Sequence, residues 1–202
     1  MALPSFSVEG LVVSRGDLIE GHCDLSLFSA RRGLLKCRRR LAANKSSTVP
    51  DLFSEIEAVV NPIGEGQLCY LGEWRLLKSR AGIGVDYKRL EAAGALARII
   101  SLNARWLATF DHASALFGKA LDALDAGAPC ETARLKAIFL LVRSEGYPVE
   151  EDWRMGWLEK DRVALGNLLF EPIESCGVSS KDIKRWRQDL EKWVVAETDF
   201  VL

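Results

Sequence analysis

The chain has 202 residues, of which 49% are hydrophobic and 27% charged, and its 27 basic residues nearly balance its 28 acidic ones. These values are typical of an ordinary globular protein and exclude a disordered chain and a coiled coil. The N-terminus lacks the regions of a signal peptide and no run of eighteen apolar residues occurs, so we expect a cytoplasmic protein with no membrane contact.

Alternating and β-branched segments predict five strands in the first eighty residues. The predicted strands are Phe6–Ser14, Leu18–Ser29, Arg31–Lys36, Leu52–Val60 and Gln67–Lys78. We interpret Arg15-Gly16-Asp17 as the first turn and Gly33 as a tight bend or bulge. Five strands with a long interruption between the third and fourth are the order of an OB barrel, whose sheet face and loops bind single strands. Small barrels of other kinds fit the same counts.

From Asp86 onward the apolar residues recur three and four positions apart, which predicts helices. The predicted helices are one from Asp86 with an apolar stripe that reaches Leu107, one over Ala113–Leu124, one from about Thr132 to Glu145, a shorter one around Lys160–Phe170 and a long one from Lys181. The predicted fold class is therefore α+β, with an N-terminal five-stranded OB-fold barrel in residues 1–80 and an all-α domain in residues 81–202.

The most one-signed stretch of the sequence is Arg31–Ser47, which holds seven Lys or Arg and no Asp or Glu. In a nearly neutral protein this is a local concentration of positive charge, and its natural partner is a polyanion such as nucleic acid. We interpret the residues after Lys36 as a basic arm that continues into a loop closed by Pro50. A solvated basic loop without a partner is the alternative interpretation.

Other charged and aromatic residues are open to two interpretations. Four basic residues of the last predicted helix are either a second basic patch or a solvated helix face; they are Lys181, Lys184, Arg185 and Arg187. Five of the six tryptophans lie in the helical half, away from the basic arm, so core packing is the favoured role for most of them.

Cysteine and histidine usage favours neither catalysis nor metal binding. The five cysteines contain no Cys-x-x-Cys pair and their odd number favours reduced, mostly buried thiols. His22 and His112 stand apart in sequence, and no phosphate-binding glycine loop is present. We therefore predict no catalytic residues, no metal and no cofactor. An enzyme with a site assembled from dispersed acidic residues stays open as an alternative.

Five stretches, in their order and spacing, resemble those of a known family. They are Val8–Val13, Leu27–Leu34, the basic run from Arg38 to Ser46, Val85–Leu90 before an alanine-rich helix, and Leu116–Pro148 with Gly146-Tyr147-Pro148 at its end. The chain in this way resembles the RecO family of recombination mediators, which have an OB barrel followed by a helical domain. Two features depart from the family pattern. No zinc-binding cysteine cluster follows Pro148, which implies a metal-free member, and a triple arginine replaces the usual Gly-Ala pair of the basic loop.

The resemblance implies a non-catalytic protein that binds single- and double-stranded DNA and anneals complementary strands. With RecR it would help to load RecA onto DNA coated by single-strand binding protein, whose acidic C-terminal tail would contact the helical domain, and RecF would be a further partner. The implied phosphate contacts are Arg31, Arg32, Lys36, Arg38, Arg39, Arg40 and Lys45, with Arg15 in the first turn. An OB-fold RNA-binding protein is the alternative, because a basic loop beside a barrel does not distinguish DNA from RNA.

Overall fold

Strands occupy the first part of the chain and helices the remainder. The computed structural model describes residues 4–41, 48–64, 68–171 and 177–202. Over these residues the chain forms two compact units, one from Met1–Arg80 with Ala104–Ala115 and the other from Ala81–Asn103 with Leu116–Leu202. Of the helices in the described segments, none combines the length and the apolar character that crossing a bilayer requires.

Five strands of the first unit close into a barrel. They are β1 (Phe6–Ile19), β2 (His22–Ser29), β3 (Gly33–Arg40), β4 (Glu55–Pro62) and β5 (Leu68–Lys78). Their order around the barrel is β1-β2-β3-β5-β4, with β3 and β5 parallel and the other neighbouring pairs antiparallel. This is the mixed five-stranded arrangement of an OB fold, so the predicted fold class, an OB barrel followed by helices, is confirmed.

The barrel interior is filled by alternate side chains from all five strands, as a period of two requires. The buried cluster consists of Val8, Val12, Leu25, Leu27, Leu35, Cys37, Ile56, Ala58, Val60, Cys69 and Leu71. Burial of this apolar surface, worth about 25 cal/mol per Å², is the main free energy that holds the barrel closed. Because inward and outward positions alternate, the same register fixes which polar side chains lie on the outside.

The first predicted turn, Arg15-Gly16-Asp17, is wrong, because β1 continues through it to Ile19. The β1–β2 register shifts between Arg15 and Leu18, so the glycine sits in a β-bulge rather than in a turn. The chain reverses instead at Glu20 and Gly21, whose φ angles of 50° and 75° suit a tight two-residue hairpin.

Two other predicted strands have different bounds in the structure. β3 runs from Gly33 to Arg40 rather than ending at Lys36, because it pairs with β2 along its whole length. Most of the predicted basic arm is therefore strand, and its interpretation as a loop is wrong up to Arg40. β4 begins at Glu55 rather than Leu52, since Phe53 adopts a left-handed φ of 65°, which is incompatible with a strand.

Gly33 occupies the predicted bend between β2 and β3. Its φ is +68°, and a Cβ atom at this position would lie 2.9 Å from Cζ of Phe110. The Phe110 ring packs edge-on against Phe28 at a centroid distance of 6.3 Å. Glycine is thus required here both by the backbone conformation and by an aromatic contact within the first unit.

The predicted helices are all present, and the described residues contain two further elements, a short 3-10 helix (Ala81–Ile83) before the first helix and a π-helical segment. The helices are α1 (Tyr87–Asn103), α2 (Phe110–Asp125), α3 (Cys130–Ser144), a π-helical segment (Val149–Arg154), α4 (Glu159–Phe170) and α5 (Ser180–Glu197). α1 ends before the predicted stripe does, because the Asn103 side-chain amide donates to the carbonyl oxygens of Ile99 and Val201, each at 2.7 Å. α5 begins at the predicted cap, since Ser179 Oγ accepts a hydrogen bond from the Asp182 N–H at 3.2 Å.

Candidate nucleic-acid interface

The basic residues of β3 divide between the two sides of the strand. Lys36, Arg38 and Arg40 are exposed, whereas Cys37 between them is buried in the barrel. Their register partners on the antiparallel neighbour β2 are Ser26, Asp24 and His22 in the same order. Because directly paired residues share a face of a sheet, these side chains form one outer surface, which we call the basic face. The outer surface of strands 2 and 3 is the part of OB folds that binds oligonucleotides.

Two exposed apolar residues of β5 border the basic face. In the parallel β3–β5 register, Leu68 pairs with Lys36 and Tyr70 pairs with Arg38. Leu68 is 45% exposed and Tyr70 48% exposed. An exposed aromatic ring next to cations is the combination on which single-stranded nucleic acids stack and are held. Sequence reasoning missed both residues, although their alternation within the predicted strand Gln67–Lys78 was a usable signal.

Lys36 and Arg40 are the most available cations of the basic face. Neither side chain has a hydrogen-bond or ion-pair partner among the described residues. A phosphate that binds them therefore breaks no ion pair of the described residues, and the counterions that the phosphate releases contribute favourable entropy.

Arg38 has an acidic neighbour on the same face. Its Nε and Nη2 donate to the two carboxylate oxygens of Asp24 at 2.7 and 2.9 Å. This bidentate hydrogen bond lowers the pKa of Asp24 and raises that of Arg38. Both side chains remain about half exposed or more, at 49% and 63%. Ion pairs in such positions are weak, so a phosphate can replace the carboxylate as the partner of Arg38.

The Arg39 side chain points to the opposite side of β3 and forms hydrogen bonds within the barrel. Its Nη1 donates to the carbonyl oxygen of Leu71 at 3.1 Å and to that of Gly72. The Nε of the same guanidinium is buried and has no partner within the described part of the chain. Arg39 therefore ties β3 to β5 and does not contribute to the basic face.

Arg31 and Arg32 lie in the turn between β2 and β3, and both are exposed. The guanidinium of Arg32 lies 4.5 Å from the centroid of the Phe6 ring, a cation–π contact. Both arginines line a surface pocket of about 350 Å³ that also contains Glu9 and Glu57, so the charge there is mixed. They are brought to the end of the same hairpin that carries the basic face.

Of the two remaining predicted contacts, only Arg15 is among the described residues, and it is not brought to the basic face. Arg15 lies on β1 and its Nη1 is 3.1 Å from the Oδ1 of Asp51, in an ion pair with an exposed carboxylate. Lys45 lies outside the described residues. Five of the eight predicted phosphate contacts are thus exposed on the β2–β3 hairpin, namely Arg31, Arg32, Lys36, Arg38 and Arg40.

The arginines of α5 do not form a second basic patch. Arg187 is buried between the carboxylates of Glu131 and Glu191. Arg185 Nη2 lies 3.4 Å from carboxylate oxygens of both Asp161 and Asp182. Lys181 and Lys184 are exposed. The helix therefore fits the other predicted interpretation, a solvated helix face.

The four described cysteines are free thiols, of which Cys23, Cys37 and Cys69 are buried and Cys130 is half-buried. Burial, together with the neighbouring Cys69 thiol, raises the pKa of Cys37 to about 12. The pKa of Cys130 is also raised, mainly by burial. Among the described residues, no group of three or more His, Cys, Asp or Glu side chains is arranged to hold a metal ion.

Two comparisons with known proteins found no match. No protein-family model matches the chain. A search of curated proteins likewise finds no match.

Proposed function

We propose that the protein binds single-stranded nucleic acid through the basic face of its OB barrel. The observation that carries this proposal is the row of outward-facing cations on β3, Lys36, Arg38 and Arg40, beside the exposed ring of Tyr70. Phosphates would contact the cations while a base stacks on the tyrosine, a mode of binding that has little sequence preference. Arg31 and Arg32 would extend the phosphate path to the end of the β2–β3 hairpin.

The fuller proposal follows the resemblance to the RecO family. In this account the protein is a cytoplasmic recombination and repair mediator that binds single- and double-stranded DNA and anneals complementary strands. Together with RecR it assists RecA loading onto DNA coated by single-strand binding protein, with RecF as a further partner. No catalytic turnover is part of the mechanism, because annealing needs only that two strands be held and their charge neutralised.

A groove in the helical unit supports the partner side of this proposal. The groove has a volume of about 230 Å³ and is lined mainly by apolar side chains of α2 and α3, including Leu116, Ala120 and Leu140. Two lysines, Lys119 and Lys136, also line it. Cations in the lining suit an acidic tail, such as the one that the resemblance implies for single-strand binding protein, although the Lys136 ammonium also donates to the carbonyl oxygen of Glu171.

Strand annealing tests the proposed function. Two complementary labelled oligonucleotides are mixed with the protein, with and without single-strand binding protein, and the rate of duplex formation is measured. We expect the double variant Lys36→Ala/Arg40→Ala to lose most of the acceleration. The matched control Lys181→Ala/Lys184→Ala removes the same charge from α5 and should anneal like the wild type. Equal loss in both variants would show that net charge, and not the basic face, drives annealing.

Competition separates the mediator from the alternative, an OB-fold RNA-binding protein. Labelled single-stranded DNA bound to the protein is challenged with unlabelled DNA or RNA of the same sequence. The mediator proposal expects DNA to compete at least as well as RNA. Displacement by RNA at a much lower concentration than by DNA would favour the RNA-binding alternative, because contacts to the 2′-hydroxyl distinguish the two.

A further inference from the structure

The helical unit contains an open cavity that the proposed nucleic-acid binding does not use. Its volume is about 520 Å³. The lining includes three indole rings and three charged groups, which are Trp153, Trp157, Trp193, Asp152, Asp189 and Lys192. The tryptophans of this half were predicted to serve mainly in the core. Trp153 is buried as predicted, but Trp157 and Trp193 are only partly buried and offer ring surface to the cavity.

Carboxylates give this cavity its polarity. Asp189 accepts a hydrogen bond from Nε1 of Trp153 at 2.9 Å through its Oδ2. This bond fixes the carboxylate at the cavity wall, and Asp189 has no ion-pair partner in the described part of the chain. Asp152 is exposed and likewise has no cationic partner there. Among the described residues of the lining, two aspartates face the single basic residue Lys192, so their net charge is negative.

The π-helical segment is what presents Asp152 and Trp153 to the cavity. In this segment the Met155 N–H donates to the Glu150 carbonyl oxygen, five residues earlier, at 3.1 Å. The wider turn places successive side chains at angles that an α-helix does not provide, and such turns recur at functional sites. Glu150 is ion-paired with Arg154, whereas Asp152 is exposed and lines the cavity.

A guanidinium already stacks on one of these rings within the molecule. The Cζ atom of Arg185 lies 5.3 Å from the Trp157 ring centroid, and the same guanidinium is 3.4 Å from the carboxylate of Asp161. Trp157 is therefore held in a setting of indole face and carboxylate that accommodates arginine. The cavity repeats that combination, with Trp193 as the indole and Asp152 and Asp189 as the carboxylates.

We propose that this cavity binds an arginine side chain presented by a partner polypeptide. A guanidinium is planar, so it stacks on indole faces and donates two parallel hydrogen bonds to a carboxylate at the same time. Lysine has a compact and strongly hydrated charge and lacks both features. The proposal concerns a protein contact in the helical unit, and it stands whether or not the barrel binds nucleic acid.

A short peptide tests the cavity on the full chain. The probe is acetyl-Gly-Gly-Arg-Gly-Gly-amide, and the matched controls carry lysine or citrulline, a neutral isostere of arginine. The indole N–H signals are followed by NMR and assigned with Trp157→Phe and Trp193→Phe. We expect saturable shifts of the Trp157 and Trp193 signals with arginine and binding about tenfold weaker with citrulline or lysine. The proposal would be overturned if the arginine peptide did not saturate the shifts. It would also be overturned if the lysine or the citrulline peptide bound as tightly as the arginine peptide.

Charge variants separate the proposed contact from a loss of folding. Asp189→Asn keeps an oxygen acceptor for Trp153 but removes the charge, and it should weaken the arginine peptide several-fold. Lys192→Ala removes the opposing cation and should tighten binding, an outcome that a destabilised protein does not produce. The control Glu159→Gln removes an exposed carboxylate that does not line the cavity and should leave the affinity unchanged. An Asp189→Asn variant that binds as tightly as the wild type would contradict the assignment.

Discussion

Arg187 in the helical unit and Arg40 on the barrel are in opposite situations. In the helical unit, Arg187 is buried between Glu131 and Glu191, and Arg134 is 2.9 Å from the same Glu191. On the barrel, Arg40 and its neighbour Lys36 are exposed and have no side-chain partner among the described residues. The comparison shows that a count of basic residues does not measure a binding surface. What matters is whether each cation is already paired within the fold.

The largest expected effect is on the stability of the helical unit. Arg187→Met keeps the apolar stem but removes the cation from Glu131 and leaves Glu191 with Arg134 alone, which should cost about 2–3 kcal/mol. Urea unfolding followed by tryptophan fluorescence measures it. Lys184→Ala, on the exposed side of the same helix, is the control and should change the free energy of unfolding by less than about 0.5 kcal/mol. A loss below about 1 kcal/mol for Arg187→Met would mean that the buried ion pairs are not structural.

Arg39 tests whether the role of a cation depends on its partners within the fold and not on the unit to which it belongs. Although it lies on the barrel, its guanidinium donates to the carbonyl oxygens of Leu71 and Gly72. Arg39→Ala should therefore destabilise the protein by about 1–2 kcal/mol, because it leaves backbone acceptors without their donor. The same substitution should leave nucleic-acid affinity nearly unchanged. Arg40→Ala should show the reverse pattern, and an identical pattern in both variants would break the comparison.

The buried thiol of Cys37 in the barrel interior makes a smaller, pH-dependent contribution to stability. Burial raises the pKa of Cys37 from 9.0 to about 12, so the folded state holds the thiol proton more tightly than the unfolded chain. This stabilisation is fully present below pH 9.0 and is lost as the pH rises toward about 12. Between pH 8 and pH 10 the wild type should lose about 1 kcal/mol more stability than Cys37→Ala, measured by urea unfolding at each pH. Parallel pH profiles would place water or an anion-stabilising group beside the thiol.

Much of the fold could be predicted from the sequence because its signals are local. Strand alternation identified all five strands, and the glycine and proline that follow α2 marked its end. The wrong predictions arise where pairing between strands overrides the local signal. Arg15-Gly16-Asp17 has the composition of a turn but is a bulge, since pairing with β2 continues on both sides of it. β3 extends to Arg40 because it pairs with β2 along its whole length, whereas the inward-facing Arg39 breaks the apolar alternation that would have predicted this.

The candidate site could be predicted only in part, because availability depends on tertiary partners. The charge run predicted phosphate contacts at Lys36 and Arg40, which the structure exposes, but it gave no means to separate them from Arg38, which pairs with Asp24. The sequence did not indicate a role for Tyr70, because Tyr70 lies beside Arg38 only through the parallel β3–β5 register. Local sequence patterns do not specify such a long-range pairing. A run of like-charged side chains can be recognised in a sequence, whereas the ion pairs that those side chains form are known only from the folded structure.

The salt dependence of binding to a single-stranded oligonucleotide tests the central claim most directly. About five phosphate contacts should give a slope of log affinity against log salt of roughly −3.5. Removing two of them in Lys36→Ala/Arg40→Ala should reduce the slope to roughly −2.1, while Lys181→Ala/Lys184→Ala should leave it unchanged. A wild-type slope near zero, or a slope that the Lys36 and Arg40 substitutions do not alter, would contradict the account.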